Sequence, residues 1–436
     1  MAGISLGGQT EMLGQTSRET LDGAPEQRGS DSPSSQLDRW MAERLLTVLG
    51  RPAIALRLWD GRRISIGQQY GAVEVTVCLH DRGALYRLLN KPTFAFGELY
   101  TTGRLTVDGD LVRGLEIVYR EILRLDRNAG PVKRFIKRLV AKRPNPNTLS
   151  QSRENIHTHY DLGNDFYKLW LDDDYTQYTC AYYPTVEATL DQAQAAKLEH
   201  VCRKLALKPG DSVVEAGGGW GGLARYMVRH YGVTVRSYNI SKEQVAYARE
   251  RAERDSLGEA VEYIEDDYRN MRGDYDVFVS VGMLEHVGPD NYRTLGATID
   301  RVLKDDGRGL IHSIGRNFPG RMNEWIESYI FPGAYPPTLR EMMEIFEPQG
   351  FSIVDIENLR SHYARTLIHW RERYEANLPQ VREMFDEDFV RAWYLYLSGS
   401  ISAFTKGQLQ LFQVLFHRPA CAVLPPTRDH LYREQD

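Results

Sequence analysis

At 436 residues the chain is about twice the usual length of one domain, so two domains are expected. Its hydrophobic fraction of 42% and charged fraction of 26% belong to a soluble globular protein, and 59 acidic against 54 basic residues (net −5) argue against a nucleic-acid binder. Cys78, Cys180, Cys202 and Cys421 show no CxxC spacing, so neither a disulfide framework nor a metal site is expected. No apolar run approaches a spanning helix and no signal peptide is apparent, which fits a cytoplasmic protein.

Residues 1–36, rich in Gly, Ser, Gln and Glu, read as a disordered tail. From Leu37 apolar residues recur at helical spacing through Trp40, Leu45, Leu46 and Leu49. AIALRLW and RISIG flank Asp60-Gly61 and predict a β-hairpin. AVEVTVCLH (72–80) alternates as a strand, and helices are expected at 82–89 and near 112–125, making a small α+β domain over 37–130. Gly130-Pro131 breaks the pattern. VKRFIKRLVAKR then sets Lys133, Arg134, Lys137, Arg138, Lys142 and Arg143 around Phe135, Ile136, Leu139 and Val140. This is a short cationic amphipathic helix, suited to an anionic membrane surface or to packing between domains. With the linker marked by Pro144 and Pro146 it occupies 131–150.

From 151 strands and helices alternate. VVEAG (213–217), VTVRSYN (233–239), AVEYIED (260–266), DVFVSVG (276–282) and GRGLIHSI (307–314) read as strands, with helices at about 221–230 and 242–254 between the first three. Such alternation predicts an α/β, Rossmann-like domain over 151–420, with ligands beyond the carboxyl ends of a parallel sheet and 421–436 left as a tail. The segment Val213–Gly222 ends a strand and opens a helix, and its glycines permit a tight turn and close backbone approach. No Lys follows, as a phosphate-cradling loop would need. Polar residues stand at successive strand ends: Glu215, then Asn239 in Asn-Ile-Ser-Lys-Glu-Gln, then Asp266 and Asp267, then Glu285. That acidic rim suits a cationic sulfonium and repels a pyrophosphate, so S-adenosylmethionine is inferred rather than NAD.

Several motifs carry a resemblance. They are HYDLGNDFYKLWLDDDYTQYTCAYY (159–183), EAGGGWGGLA (215–224), NISKEQ (239–244), VSVGMLEHVG (279–288), HSIG (312–315), YIFPGAYPP (329–337), HYARTLIHWRERY (362–374) and GQLQLFQVLF (407–416). Together they resemble the cyclopropane-fatty-acyl-phospholipid synthase family of S-adenosylmethionine-dependent methyltransferases, from about 153 to 418, while GRLTVDGDL (103–111) resembles the family's smaller domain. The resemblance implies a class I methyltransferase domain with a seven-stranded, mostly parallel sheet, preceded by a small lipid-binding domain. It implies transfer of a methylene to the cis double bond of an unsaturated phospholipid acyl chain. By motif, Tyr178, Thr179, Glu215, Gly217, Gly219, Gly221, Asn239, Ser241, Gln244, Asp267 and Tyr268 would hold the cofactor. A bicarbonate site would map to Cys180, Glu285, His312, Ile314 (through its backbone) and Tyr363.

Chemistry explains such a base. An alkene is a poor nucleophile, so methyl transfer leaves a carbocation, and a proton must leave the new methyl for the ring to close. A carboxylate beside the cation could trap it as an ester; a small bound base avoids this. Faces of Tyr178, Tyr182, Tyr329, Phe331 or Tyr335 would stabilise the cation by roughly 1–2 kcal/mol each when desolvated.

Three positions depart from the family pattern: Gly218 replaces a usual cysteine, Asn239 a usual threonine, and Ser398 and Ser400 stand where some members carry a cysteine. Two alternatives stay open, a C-methyltransferase giving a methyl or methylene branch and a non-catalytic lipid binder. The expected partners are membrane phospholipids, met at the inner face of the membrane by a peripheral protein. A homodimer is compatible with the sequence.

Overall fold

The computed structural model describes residues 32–67, 72–127 and 162–432. Residues 1–31 of the expected tail and the basic helix and linker at 131–150 lie outside the described residues.

The first unit opens with helix α1 (Gln36–Val48), whose start is a capping box: the Ser35 hydroxyl accepts the Asp38 amide and the Asp38 carboxylate accepts the Ser35 amide. Strands β1 (Ile54–Arg57) and β2 (Arg63–Ile64) form the expected antiparallel hairpin. Strand β3 (Val75–Leu79) pairs parallel with β1, and β4 (Leu105–Asp108) antiparallel with β3, giving the sheet order β2-β1-β3-β4. Helices α2 (Arg82–Asn90), α3 (Pro92–Thr101) and α4 (Leu111–Arg127) complete the unit.

The second unit runs α5 (Asn164–Lys168), α6 (Leu190–Lys204), β5 (Ser212–Ala216), α7 (Gly222–Tyr231), β6 (Thr234–Asn239), α8 (Lys242–Arg254), β7 (Val261–Glu265), β8 (Tyr275–Val281), α9 (Tyr292–Val302) and β9 (Leu303–Gly315). It continues with α10 (Glu324–Tyr329), α11 (Leu339–Phe346), β10 (Ser352–Asn358), α12 (Arg360–Ala376), α13 (Leu378–Met384), α14 (Glu387–Thr405), β11 (Gln410–His417) and α15 (Asp429–Tyr432). The seven-stranded sheet has the order β10-β11-β9-β8-β5-β6-β7, and only β11 runs antiparallel to its neighbours. Its central strands are apolar on both sides, with Val213, Val214, Val277, Phe278 and Leu310 buried, as a sheet covered on both faces requires. From β5 the chain moves outward through β6 and β7, then returns to β8 on the other side. The carboxyl ends of β5 and β8 therefore flank the switch point where such sheets take their ligands.

The two units share one hydrophobic core. Trp393, Leu397 and Phe404 of α14 join Leu99, Tyr100 and Ile117 of the first unit. Buried Arg391 donates to the Tyr100 carbonyl at 2.7 Å with its guanidinium 4.5 Å from the Tyr100 ring centre. Gly97 lets α3 approach α10 closely, since a Cβ there would fall 2.3 Å from the Trp325 ring. The segment after β11 also packs: Leu431 is buried and its carbonyl accepts from Arg203. Among the described residues no helix is long and apolar enough to cross a membrane.

Candidate active site

The turn after β5 has the geometry its glycines predict. Gly217, Gly219 and Gly221 sit at φ of 82°, 53° and 78°, a region that disfavours side chains. Asn239, at the end of β6, ties this turn to the next helix. Its Nδ2 donates to the Gly219 carbonyl at 3.1 Å and to Gln244 Oε1 at 2.9 Å, while its Oδ1 accepts the Ser241 amide at 3.2 Å. Ser241 in turn caps α8. Asp267, beyond β7, accepts the Arg269 amide at 2.9 Å, and buried Tyr268 follows it. Glu215 is buried at the end of β5, accepts from the Ser237 hydroxyl at 2.6 Å, and is pushed up to about 7 by burial.

Gly218 has a local reason for departing from the family pattern. A Cβ at that position would lie 1.9 Å from Ser237 Oγ and 2.9 Å from Glu215 Oε2, so the serine hydroxyl occupies the space a cysteine would need. The open glycine turn, the polar strand ends and the two acids Glu215 and Asp267 fit a nucleoside bearing a cationic amino acid.

The second cluster forms where β8, β9 and α12 meet. Glu285 sits in a short 3-10 turn, Leu284–His286, just after β8. Its Oε1 accepts the Ile314 amide at 2.5 Å, whereas its Oε2 is buried and has no hydrogen-bond partner among the described residues. Burial pushes this carboxyl up to about 7. His312 is 1% exposed; Gln413 Nε2 donates to its Nδ1 at 3.1 Å, and its Nε2 is likewise buried without a partner. With Nδ1 accepting, the remaining proton sits on Nε2. Burial and the charges of Lys197 and Lys204 hold the imidazole well below its ordinary range, so it is neutral. Cys180 is fully buried, and burial pushes its thiol well above the ordinary range and so favours the neutral form. Tyr363, on α12, sets its ring 4.5 Å from that of Phe404, tilted by 38°.

All five residues line one cavity of about 1780 Å³ between the two units. Phe96, Leu115 and Ile122 of the first unit and Leu367, Leu395 and Phe404 of the second supply apolar walls. Two orphaned buried polar atoms, an acceptor on Glu285 and a donor on His312, belong to residues that line this cavity, whose apolar walls are joined by polar side chains such as Arg316, Asn358, Arg360 and Lys406. That donor set fits a small protonated oxyanion. Ile314 contributes through Glu285, which its amide already holds.

The aromatic expectations need correction. Tyr178 and Phe331 line the cavity. Tyr182 instead lies stacked between His200 and His362 at 4.2 and 4.8 Å. Tyr329 is exposed against Trp325, and Tyr335 donates to Glu341 at 2.8 Å. Tyr182 and Tyr335 lie on irregular backbone, where ring direction follows no period, and Tyr329 ends α10 on its exposed side. Tyr363, Tyr396 and Phe404 line the cavity in their place, and Tyr396 hydrogen-bonds Tyr178 at 2.9 Å between hydroxyls. Gln413 was also missed: it reaches His312 only because β11 lies beside β9 in register.

Comparison with known proteins identifies the family. Residues 147–414 match the family model of mycolic acid cyclopropane synthetases, and 42–125 match a domain of unknown function, DUF7884. A probable fatty acid methyltransferase of Pseudomonas putida is 35% identical, over 87% of this chain and 96% of its own length. The cyclopropane-fatty-acyl-phospholipid synthase of Escherichia coli strain K12 is 42% identical, over 60% of this chain and 66% of its own. The crystal structure of the mycolic acid cyclopropane synthase CmaA1 complexed with SAH and CTAB superposes with a TM-score of 0.58 at 28% identity, covering 61% of this chain and 98% of that one. The chain belongs to the cyclopropane synthase family and is an S-adenosylmethionine-dependent methyltransferase.

Proposed function

We propose that this enzyme is a cyclopropane-fatty-acyl-phospholipid synthase acting at a membrane surface on the cis double bond of an unsaturated acyl chain. One observation carries the reading. Glu285 and His312 line one cavity that has apolar walls from both units, and each keeps a buried polar atom, Oε2 and Nε2, unpartnered among the described residues. A carboxylate acceptor and a neutral imidazole donor inside an acyl-sized space have little use in plain lipid storage.

When bound, S-adenosylmethionine would supply an electrophilic methyl group, and bicarbonate a proton acceptor too small and too weakly nucleophilic to trap a carbocation. The chain's own groups do the rest. Gly217, Gly219 and Gly221 admit the cofactor backbone-close, Asn239 and Gln244 offer hydrogen bonds to ribose, and Asp267 offers an acceptor to the adenine amine. The Nε2 proton of His312 and the Tyr363 hydroxyl would orient the anion, and Glu285 Oε2 would accept a hydrogen bond from its OH. Neutral Cys180 keeps a second nucleophile away from the cation. The rings of Tyr178, Phe331 and Phe404 face a cavity in which charge develops on carbon, each contributing about 1–2 kcal/mol when desolvated.

The apolar walls answer an energetic need. A mid-chain double bond lies about nine methylenes from its headgroup, and exposing those to water would cost about 7 kcal/mol. A covered channel removes that cost. The basic segment 131–150 is the candidate docking element for an anionic surface.

Expression in a host lacking its own synthase, followed by lipid mass spectrometry, tests the reading. Ring and methylene branch both add one CH2, so hydrogenation or ozonolysis must separate them. A product whose double bond survives refutes ring formation. The second reading, methyl or methylene branching, is favoured by the description of the Pseudomonas putida relative as a fatty acid methyltransferase.

A further inference from the structure

Among the buried cations, Lys197 is bonded to the segment that leads into the site. Lys197, on α6, has 0% exposure, and its Nζ donates to Gln177 Oε1 and to Thr179 Oγ1, the latter at 3.0 Å. Three residues earlier on the same helix, buried Gln194 donates to the Gln177 and Thr179 carbonyls at 3.3 and 2.9 Å. Asp172 accepts the Tyr175 and Gln177 amides at 2.9 and 2.6 Å. The stretch from Gln177 to Cys180 forms neither helix nor strand, so these side-chain bonds replace the ladder that would otherwise hold it. It is also the stretch that carries Tyr178 and Thr179 toward the cofactor and Cys180 toward the base site. From above, Gly282 closes on it: a Cβ there would fall 2.7 Å from Thr179 Cγ2.

Glu215 lies within electrostatic reach of the same ammonium. Glu215 is faced by the Ser237 hydroxyl from β6, by Lys197 and Cys202 from α6, and by Tyr263 from β7; among these only Lys197 brings a positive charge. Lys197 itself is faced by Asp172, Cys180, Glu215, Cys202 and His312, and burial pulls it down to about 8, so wild type carries this charge at pH 7 and has lost most of it at pH 9. With both carboxylates ionised, Asp172, Lys197 and Glu215 sum to one negative charge, which matches an incoming cationic amino acid.

We propose that Lys197 is a positioning residue for methyl transfer: it fixes the segment Gln177 to Cys180 and is the buried counter-charge to Glu215 when that carboxylate receives the cofactor's ammonium group. The inference rests on the assignment of Glu215 and Thr179 to the cofactor. Burial pushes Glu215 up to about 7 while Lys197 pulls it down. Removing the cation raises Glu215 further, so it binds a proton at neutral pH and releases it only in alkali.

The test is calorimetric titration of the full-length protein with S-adenosylhomocysteine, which bears the ammonium group and needs no lipid. Lys197→Met is expected to bind about tenfold more weakly than wild type at pH 7, with the deficit shrinking to about threefold or less at pH 9. A purely structural loss gives a deficit that does not change with pH, and that result, or no deficit, overturns the proposal. Should Lys197→Met not fold, wild type and Glu215→Gln decide: wild-type affinity falls below about pH 7, and Glu215→Gln flattens that profile. A wild-type profile that is already flat overturns it. Because the readout is cofactor affinity, a wrong lipid product would leave this result standing, and the converse also holds.

Discussion

Glu285→Gln separates the demands of the fold from those of the reaction. The carboxyl is displaced from 4.5 to about 7, chiefly by burial, and that displacement corresponds to about 3 kcal/mol. The sign follows from which state holds the proton. Between about pH 4.5 and 7 the folded protein keeps it while the unfolded chain has lost it, so this group's contribution is favourable in acid. It disappears as pH rises through 7, where the native state must carry a buried carboxylate. A neutral amide escapes that penalty and retains the bond from the Ile314 amide to the side-chain oxygen. Its NH2 takes the place of the unpartnered Oε2, and leaving that donor unpaired costs about 1–3 kcal/mol. The pH-dependent part is free of this offset. Denaturant unfolding should show Glu285→Gln gaining about 3 kcal/mol relative to wild type between pH 5 and pH 8. Turnover should fall by about 10²–10⁴, the usual span for a lost proton-transfer group, with S-adenosylhomocysteine affinity nearly unchanged. Wild-type turnover in this variant, or a stability difference independent of pH, would refute the assigned role.

Other substitutions probe the cavity and its walls. Gly399 lies within α14 on the cavity wall, and a Cβ there meets nothing within 4 Å; Gly399→Leu should leave stability equal or about 1 kcal/mol higher while sharply lowering lipid turnover. Full turnover by that variant would remove the cavity as the acyl channel. Gly97→Ala forces a methyl group into the Trp325 ring and should cost about 1–3 kcal/mol, read as a lower Tm, with cofactor affinity unaffected. Gly218→Cys should lose a similar amount and weaken S-adenosylhomocysteine binding, and Ser237→Ala in the same chain should restore part of both by vacating the contested space. Additive losses in the double variant would contradict that steric account.

Much of the fold is local and was readable as such. The hairpin about Asp60-Gly61, the β-branched strands from Val213 onward, and the strand-turn-helix at Gly217 to Gly222 all follow from backbone preferences and side-chain period. So do the strand ends that bear Glu215, Asn239 and Glu285, because a parallel sheet delivers them to one edge. The motif resemblance supplied the family and hence the pairing of Glu285 with His312.

Tertiary structure decided what depends on neighbours distant in sequence. Gln413 finds His312, 101 residues away, only through the antiparallel insertion of β11 between β9 and β10. Lys197 sits in a stretch, QAAKLEH, that reads as an ordinary solvated helix face, yet it is wholly buried under the segment it holds. Which tyrosines reach the cavity was likewise undetermined: Tyr178, Tyr182 and Tyr335 sit on irregular backbone without a period, and helical Tyr396 reaches it only through the packing of α14 between the two units. The joining of the small unit to the large one through Arg391 and Tyr100 belongs here too, and that junction is what covers the space between them. Period and propensity act over a few residues, whereas burial is a property of the assembled chain.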